Sequence, residues 1–363
     1  MSKFLGLPTT LGSGSGFLGI SGSSPIPSIS TVSPPFGSVS GSTPITLTGS
    51  NFTGTTTVSI GGTNITSLAV VNDNTITGTT AAGSVANANV VVSAPGGSGT
   101  LSQGFTYLPT NWTTGLFGDL GVSASLGKVS TWSDRSGSGN DFAQSNNSNK
   151  PIWTAPSGSN RGFLTFDGSA TQLIGTNSFQ RVFASDLTAF SLYAVAWQTT
   201  AGSATDPEAL NGSMLADFDP TLGGNYGYYC LGGAASDLFG STNTWAANIY
   251  DALADSTVIA GNSSLDYTHV QLIARSLDGT VGGGTQYISI NSGDTFSDSN
   301  INNGSINAGA VLNTLQLGQS GYGGATFYTG NVYAVFIWNR RLTTDENGVV
   351  RTMFKNLYSI PNW

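Results

Sequence analysis

Seven consecutive apolar residues, Val332-Tyr-Ala-Val-Phe-Ile-Trp338, constrain this chain more than any other stretch. The run is short, rich in aromatic and β-branched types, and bounded by Gly330 and Asn339. It therefore reads as a strand buried on both faces. The charged pair Arg340-Arg341 ends it. Thr343-Thr-Asp-Glu346 then forms a capping box, in which the Thr343 hydroxyl accepts from the N–H of residue 346 and Glu346 reaches back to the N–H of 343. Val349, Val350, Met353, Phe354, Leu357 and Tyr358 follow at helical spacing and make one apolar stripe. A buried strand feeding one short amphipathic helix predicts an all-β domain closed by a single helix.

The remainder of the chain is strand and turn. Ile45 and Leu47 alternate with Thr46 and Thr48, Val58 and Ile60 follow, and Gly61-Gly62 makes a tight turn. Asn72-Asp-Asn74 is a second turn, Val90-Val-Val92 a further strand, and Ala94-Pro-Gly-Gly97 a third turn. Strands at such short spacing predict a small sandwich over residues 28–109. Before it, residues 1–27 are Gly/Ser-rich, as flexible linkers are. They carry two similar apolar islands, with Phe4 and Leu5 in one and Phe17 and Leu18 in the other. Two readings stay open: a flexible tail, or an anchor peptide whose islands gain by burial on a partner.

Charge narrows the partners. Charged residues are only 8% of the chain, its net charge is −8, and residues 1–109 contribute only Lys3 and Asp73. An acidic chain without a basic cluster is a poor ligand for phosphate backbones, so no nucleic-acid partner is expected. The single cysteine, Cys230, precludes an intrachain disulfide and reads as a small buried side chain. No segment reaches the ~20 apolar residues of a membrane helix. The N-terminus also lacks the apolar core of a secretory signal. No membrane insertion and no signal peptide are expected.

Two resemblances add to this reading. Ile29-Ser-Thr-Val-Ser-Pro-Pro-Phe-Gly37, Ile45-Thr-Leu-Thr-Gly-Ser-Asn-Phe52, Val58-Ser-Ile-Gly-Gly62 and Gly104-Phe-Thr-Tyr107 resemble the IPT/TIG immunoglobulin-like family, here in the role of a spacer. The closing segment from Tyr328 resembles laminin-G-type, concanavalin A-like jelly rolls. So do Val129–Ala143, Arg161–Gly168 and Phe190–Trp197. The fold class implied is all-β: an Ig-like sandwich at 28–109, then a jelly roll at 110–363 with one short C-terminal helix. Domains of this kind that lack an export signal resemble bacteriophage virion proteins, made in the host cytoplasm and carried on the virion surface.

Catalysis finds little support. Glucanases on this scaffold carry Glu-x-Asp-x-Glu on one strand, whereas the glutamates here are Glu208, in a loop-like stretch, and Glu346, in the cap. Asp217 and Asp219 are the nearest imitation. They could also offer oxygens to Ca²⁺, but two acids make no recognised loop pattern. The lone His269, at the start of a strand, reads as a packing residue. No cofactor and no enzymatic activity are expected. Sugars are held by aromatic faces beside Asn, Asp and backbone groups, and Tyr226, Tyr228, Tyr229, Trp245, Asn248 and Tyr250 supply those types. The same residues would equally fill a core or a subunit interface. The expectation is a phage fibre or capsid or tail decoration protein, anchored to other virion proteins through residues 1–27. It would be homo-oligomeric and would display a domain able to bind cell-surface glycans. A bacterial surface adhesin and a polysaccharide-degrading glycosidase are the alternatives.

Overall fold

The computed structural model describes residues 24–178, 189–199, 213–218, 229–234, 244–250, 256–264, 268–280, 283–291, 294–301, 314–320 and 326–360. Among the described residues the fold is all-β apart from the C-terminal helix Thr344–Tyr358.

The first sandwich has two sheets. One orders its strands Ser28–Ser33, Pro44–Ser50, Thr75–Thr79 and Thr66–Asn72; the other runs Phe36–Ser38, Gly97–Leu108, Ala86–Ala94, Thr57–Ile60 and Thr63–Asn64. Alternation places the core as expected: Ile45, Leu47, Val58, Ile60, Val90 and Val92 are buried between the sheets with Phe52 and Phe105. The turns fall where the sequence puts them. Gly61 and Gly62 both take positive φ, which costs a glycine little, and join Thr57–Ile60 to Thr63–Asn64. Asp73, in the next turn, accepts from the N–H groups of Asn51 and Thr53 and from the Thr53 hydroxyl, tying the turn to a neighbouring loop.

In the second domain the closing strand Thr329–Trp338 is central. Along one edge it pairs with Trp112–Phe117 and Phe163–Asp167, and along the other with Ala189–Gln198. The sheet continues through Gln271–Thr280, Gly283–Ile290 and Asp294–Ile301. An opposing layer holds Lys128–Trp132, Phe142–Ala143, Leu173–Ser178, Thr314–Leu317, Ser213–Phe218, Tyr229–Ala234, Thr244–Tyr250 and Ser256–Ser264. Short strand Ile152–Thr154 pairs with both layers and links their hydrogen bonding at one side.

The closing strand is buried on both faces, for a reason visible in its register. Val332, Val335 and Ile337 enter the core between the layers, while Tyr333, Ala334, Phe336 and Trp338 face a second apolar cluster outside the sheet. The break in strict alternation falls at a bulge: Ala196 opposes Val332 and Val195 opposes Ala334, leaving Tyr333 as the extra residue. The helix covers the outer cluster with Val350, Met353 and Phe354.

The first sandwich also covers it. Phe36 and Leu108 belong to the same outer cluster. Phe36 meets Trp112, Phe117 and Phe336 edge-on, with ring centroids 5.8, 5.1 and 5.1 Å away. Trp338 donates to the carbonyl of Pro109 at 3.2 Å. The Ig-like module, expected as a spacer, thus also supplies side chains to an apolar cluster shared with its neighbour.

Candidate functional site

The helix between the two domains organises the accessible clefts, and its ends are fixed by specific bonds. The capping box is complete: Glu346 donates its N–H to the Thr343 hydroxyl at 3.3 Å, and Thr343 donates its N–H to the Glu346 carboxylate at 2.9 Å. Arg340 grips that carboxylate at two points, 2.7 and 2.6 Å. This hydrogen bond is the main reason the Glu346 carboxyl lies below its ordinary range; burial opposes the shift and the Thr343 N–H adds to it. At the other end Ser359 takes the left-handed conformation and donates to Lys355 O. Arg161 donates to the carbonyl of Leu357 at 3.0 Å while paired with Asp119 at 2.8 Å.

Among the described residues, three clefts border this helix. The largest, about 450 Å³, lies at its C-terminal end. Phe163 and Tyr333 line it with ring centroids 5.0 Å apart, and Tyr358 meets Tyr333 at 5.7 Å. The turn Ser157–Asn160 and Arg161 supply polar groups along the same wall. Aromatic faces beside serine and asparagine are the chemistry that holds a pyranose.

A second cleft, about 370 Å³, runs between the helix and the first sandwich. Its amides cross-link the domains: Asn87 donates to Val349 O at 3.1 Å, and Asn356 donates to Gln103 Oε1 at 2.7 Å. The third, about 290 Å³, lies over the sheet near the helix N-terminus and is bordered by Arg341 and Arg351.

The aromatics singled out in the sequence fall elsewhere. Trp245 is fully buried between the layers and donates to Gln271 Oε1 at 2.8 Å, so it fills the core and is not a surface ligand contact. Tyr226 and Tyr228 lie outside the described residues, as do Phe4, Leu5, Phe17, Leu18, Glu208 and Asp219. Tyr229, Asn248 and Tyr250 lie on adjacent strands, with Tyr229 opposite Ile249 and Asn248 between Cys230 and Val258; their side chains, with those of Cys230 and Asp217, are also outside the described set. His269 is exposed beside the Thr268 hydroxyl at 2.7 Å, not packed as expected, because it precedes strand Gln271–Thr280 at a bend.

Comparison with known proteins decides one domain. Residues 27–107 match the IPT/TIG domain. The IPT/TIG match accounts for the first sandwich and ends just before the chain enters the second. No curated protein matches the sequence. Among solved structures, the binding domain of Paraclostridial Mosquitocidal Protein 1 superposes with a TM-score of 0.44 at 11% identity, over 69% of this chain and 55% of that one. The Botulinum Neurotoxin serotype G binding domain gives 0.43 at 14%, over 67% and 51%. Ruminococcus gnavus IT-sialidase CBM40, bound to alpha2,3 sialyllactose, gives 0.38 at 9%, over 52% and 95%. This chain thus spans about half the length of the two toxin domains.

The aromatic cleft was missed in the sequence because its parts are far apart. Phe163, Tyr333 and Tyr358 each read locally as strand or helix packing residues. Only the helix returning across the sheet brings them together.

Proposed function

We propose that this chain is a non-enzymatic attachment protein in which the IPT/TIG module and the jelly-roll domain form one body displaying saccharide-binding clefts. The observation that carries this is the aromatic cleft of Phe163, Tyr333 and Tyr358, walled by the polar turn Ser157–Asn160. Its volume lies within the roughly 300–1,000 Å³ of small-ligand clefts. The docked IPT/TIG module holds the domain at a fixed orientation, as display requires. The resemblance to virion proteins gives the setting: a phage fibre or decoration protein, attached through residues 1–27 and present in several copies, so that weak single contacts add by avidity.

Two measurements test the reading. The full chain should bind members of a panel of neutral and charged oligosaccharides, and Phe163→Ala should weaken neutral-saccharide binding about tenfold, the loss of one stacking face. A chain lacking residues 1–27 should fold yet be absent from purified particles. Normal incorporation of the truncated chain would place the anchor elsewhere, and indifference of the panel to Phe163→Ala would remove the cleft from the account.

A further inference from the structure

The aromatic cleft and the cleft between the helix and the first sandwich are not separate hollows. Arg161 and Leu357 line both, so the two abut across these side chains. A third of the Arg161 side chain is exposed, which leaves the divide open to solvent. Arg161 is also the sole charged side chain among the described residues lining either cleft. Its charge is answered by Asp119, 2.8 Å away, and its Nε–H donates to the carbonyl of Leu357. From end to end the lining therefore offers rings, hydroxyls and amides with no unbalanced charge.

The two ends differ in chemistry. The aromatic end has Phe163, Tyr333 and Tyr358. The interdomain end has amides contributed by both domains, and they are held in place. The Thr106 hydroxyl donates to Asn87 Oδ1 at 2.7 Å, while Asn87 Nδ2 is fixed on Val349 O. The Gln103 backbone N–H donates to Asn89 Oδ1 at 2.9 Å, and the Gln103 side chain accepts from Asn356 Nδ2. That cross-link uses one half of each amide. Asn356 Oδ1 and Gln103 Nε2, on two exposed side chains, have no bond among the described residues. One acceptor and one donor thus remain for hydroxyl groups, which both give and take hydrogen bonds. Serine and threonine hydroxyls at Ser30, Thr31 and Ser102 stand along the same cleft.

We infer that the two clefts form one groove for an extended neutral oligosaccharide. One sugar stacks at the aromatic end, and the following sugars cross Arg161 to the amides, so the IPT/TIG module carries part of the binding site. The inference rests on the saccharide-binding reading and adds to it the length and neutrality of the ligand.

The test measures binding of the full chain by calorimetry to neutral gluco-, galacto- and manno-oligosaccharides, each as disaccharide and hexasaccharide. Two variants obstruct the interdomain end without touching the amide cross-links: Ser102→Lys and Thr31→Lys, both at exposed positions on different strands, with folding verified by thermal unfolding. In the parent, the hexasaccharide of at least one series should bind about tenfold or more tightly than its disaccharide. Each lysine variant should bring the hexasaccharide down to the disaccharide's affinity and leave the disaccharide unchanged. Phe163→Ala should weaken both lengths. If the two lengths bind alike in the parent, or if the gain with length survives both lysine variants, the groove ends at Arg161 and this inference is wrong while the aromatic cleft stands. Binding of no saccharide at all overturns both readings.

Discussion

Phe36 of the IPT/TIG module lies edge-on to Phe336 of the closing strand, ring centroids 5.1 Å apart and planes at 80°. The two residues are 300 positions apart in sequence, and their contact joins the two domains through a shared apolar cluster. Edge-on aromatic pairs add to the burial itself. Phe36→Ala should therefore cost about 3–5 kcal/mol, as large-to-small changes in a closed core do. Calorimetry should show the joint unfolding transition separating into two. Small-angle scattering should show a larger radius of gyration, and an unchanged profile would mean the amide bonds alone hold the domains together.

Gly115 permits the placement of Trp112. A Cβ at this glycine would stand 1.9 Å from the Trp112 ring, which stacks on Phe336 at 5.5 Å and 11°. Gly115→Ala must push the ring off that stack. The expected loss is about 1–3 kcal/mol, the range for overpacking, read as a lower midpoint in denaturant with an unchanged slope.

The closing helix depends on its cap and on the strand before it. Thr343→Ala should cost about 1 kcal/mol, whereas Trp338→Ala, which empties a fully buried position, should cost about 3–5 kcal/mol. Equal effects in thermal unfolding would contradict this placement of the strand.

Acid should weaken the fold through two carboxylates. Glu346 is held down chiefly by Arg340. At Asp167 burial favours the neutral form, but the N–H groups of Ala170, Ser169 and Thr171 and the Thr171 hydroxyl outweigh it, and the pKa lies well below the usual range. Both folded-state values are depressed, so the stabilisation is complete above the ordinary carboxylate range near pH ~4 and is lost as pH falls through the folded values. Asp167→Asn should lower the melting temperature at pH 7, and the gap to the parent should narrow steadily as pH falls below ~4. A gap that does not narrow with acid would mean the turn, not the charge, is responsible.

Trp245 provides a test of core against surface. Because its ring is fully buried and bonded to Gln271, Trp245→Ala should cost about 3–5 kcal/mol. Variants that remain folded should bind saccharides as the parent does. A selective loss of binding without loss of stability would return Trp245 to the ligand-contact set.

What the sequence determined by itself was local. Alternation in Ile45–Thr48, the glycine turn after Ile60, the apolar run Val332–Trp338 and the capping box at Thr343 each depend on neighbours a few residues away, so each element could be read from its own residues. Two things depended on tertiary structure. The outer face of the closing strand is covered jointly by the helix and by Phe36, a residue that in its own module is only one position of a short strand. The clefts gather Phe163 with Tyr333 and Tyr358, and Arg341 and Arg351 with Tyr287 and Ser289, from strands and a helix far apart along the chain. Burial alternation gives the face a side chain occupies in its own element. Which distant element meets that face is set by how the layers close, and no local period encodes it.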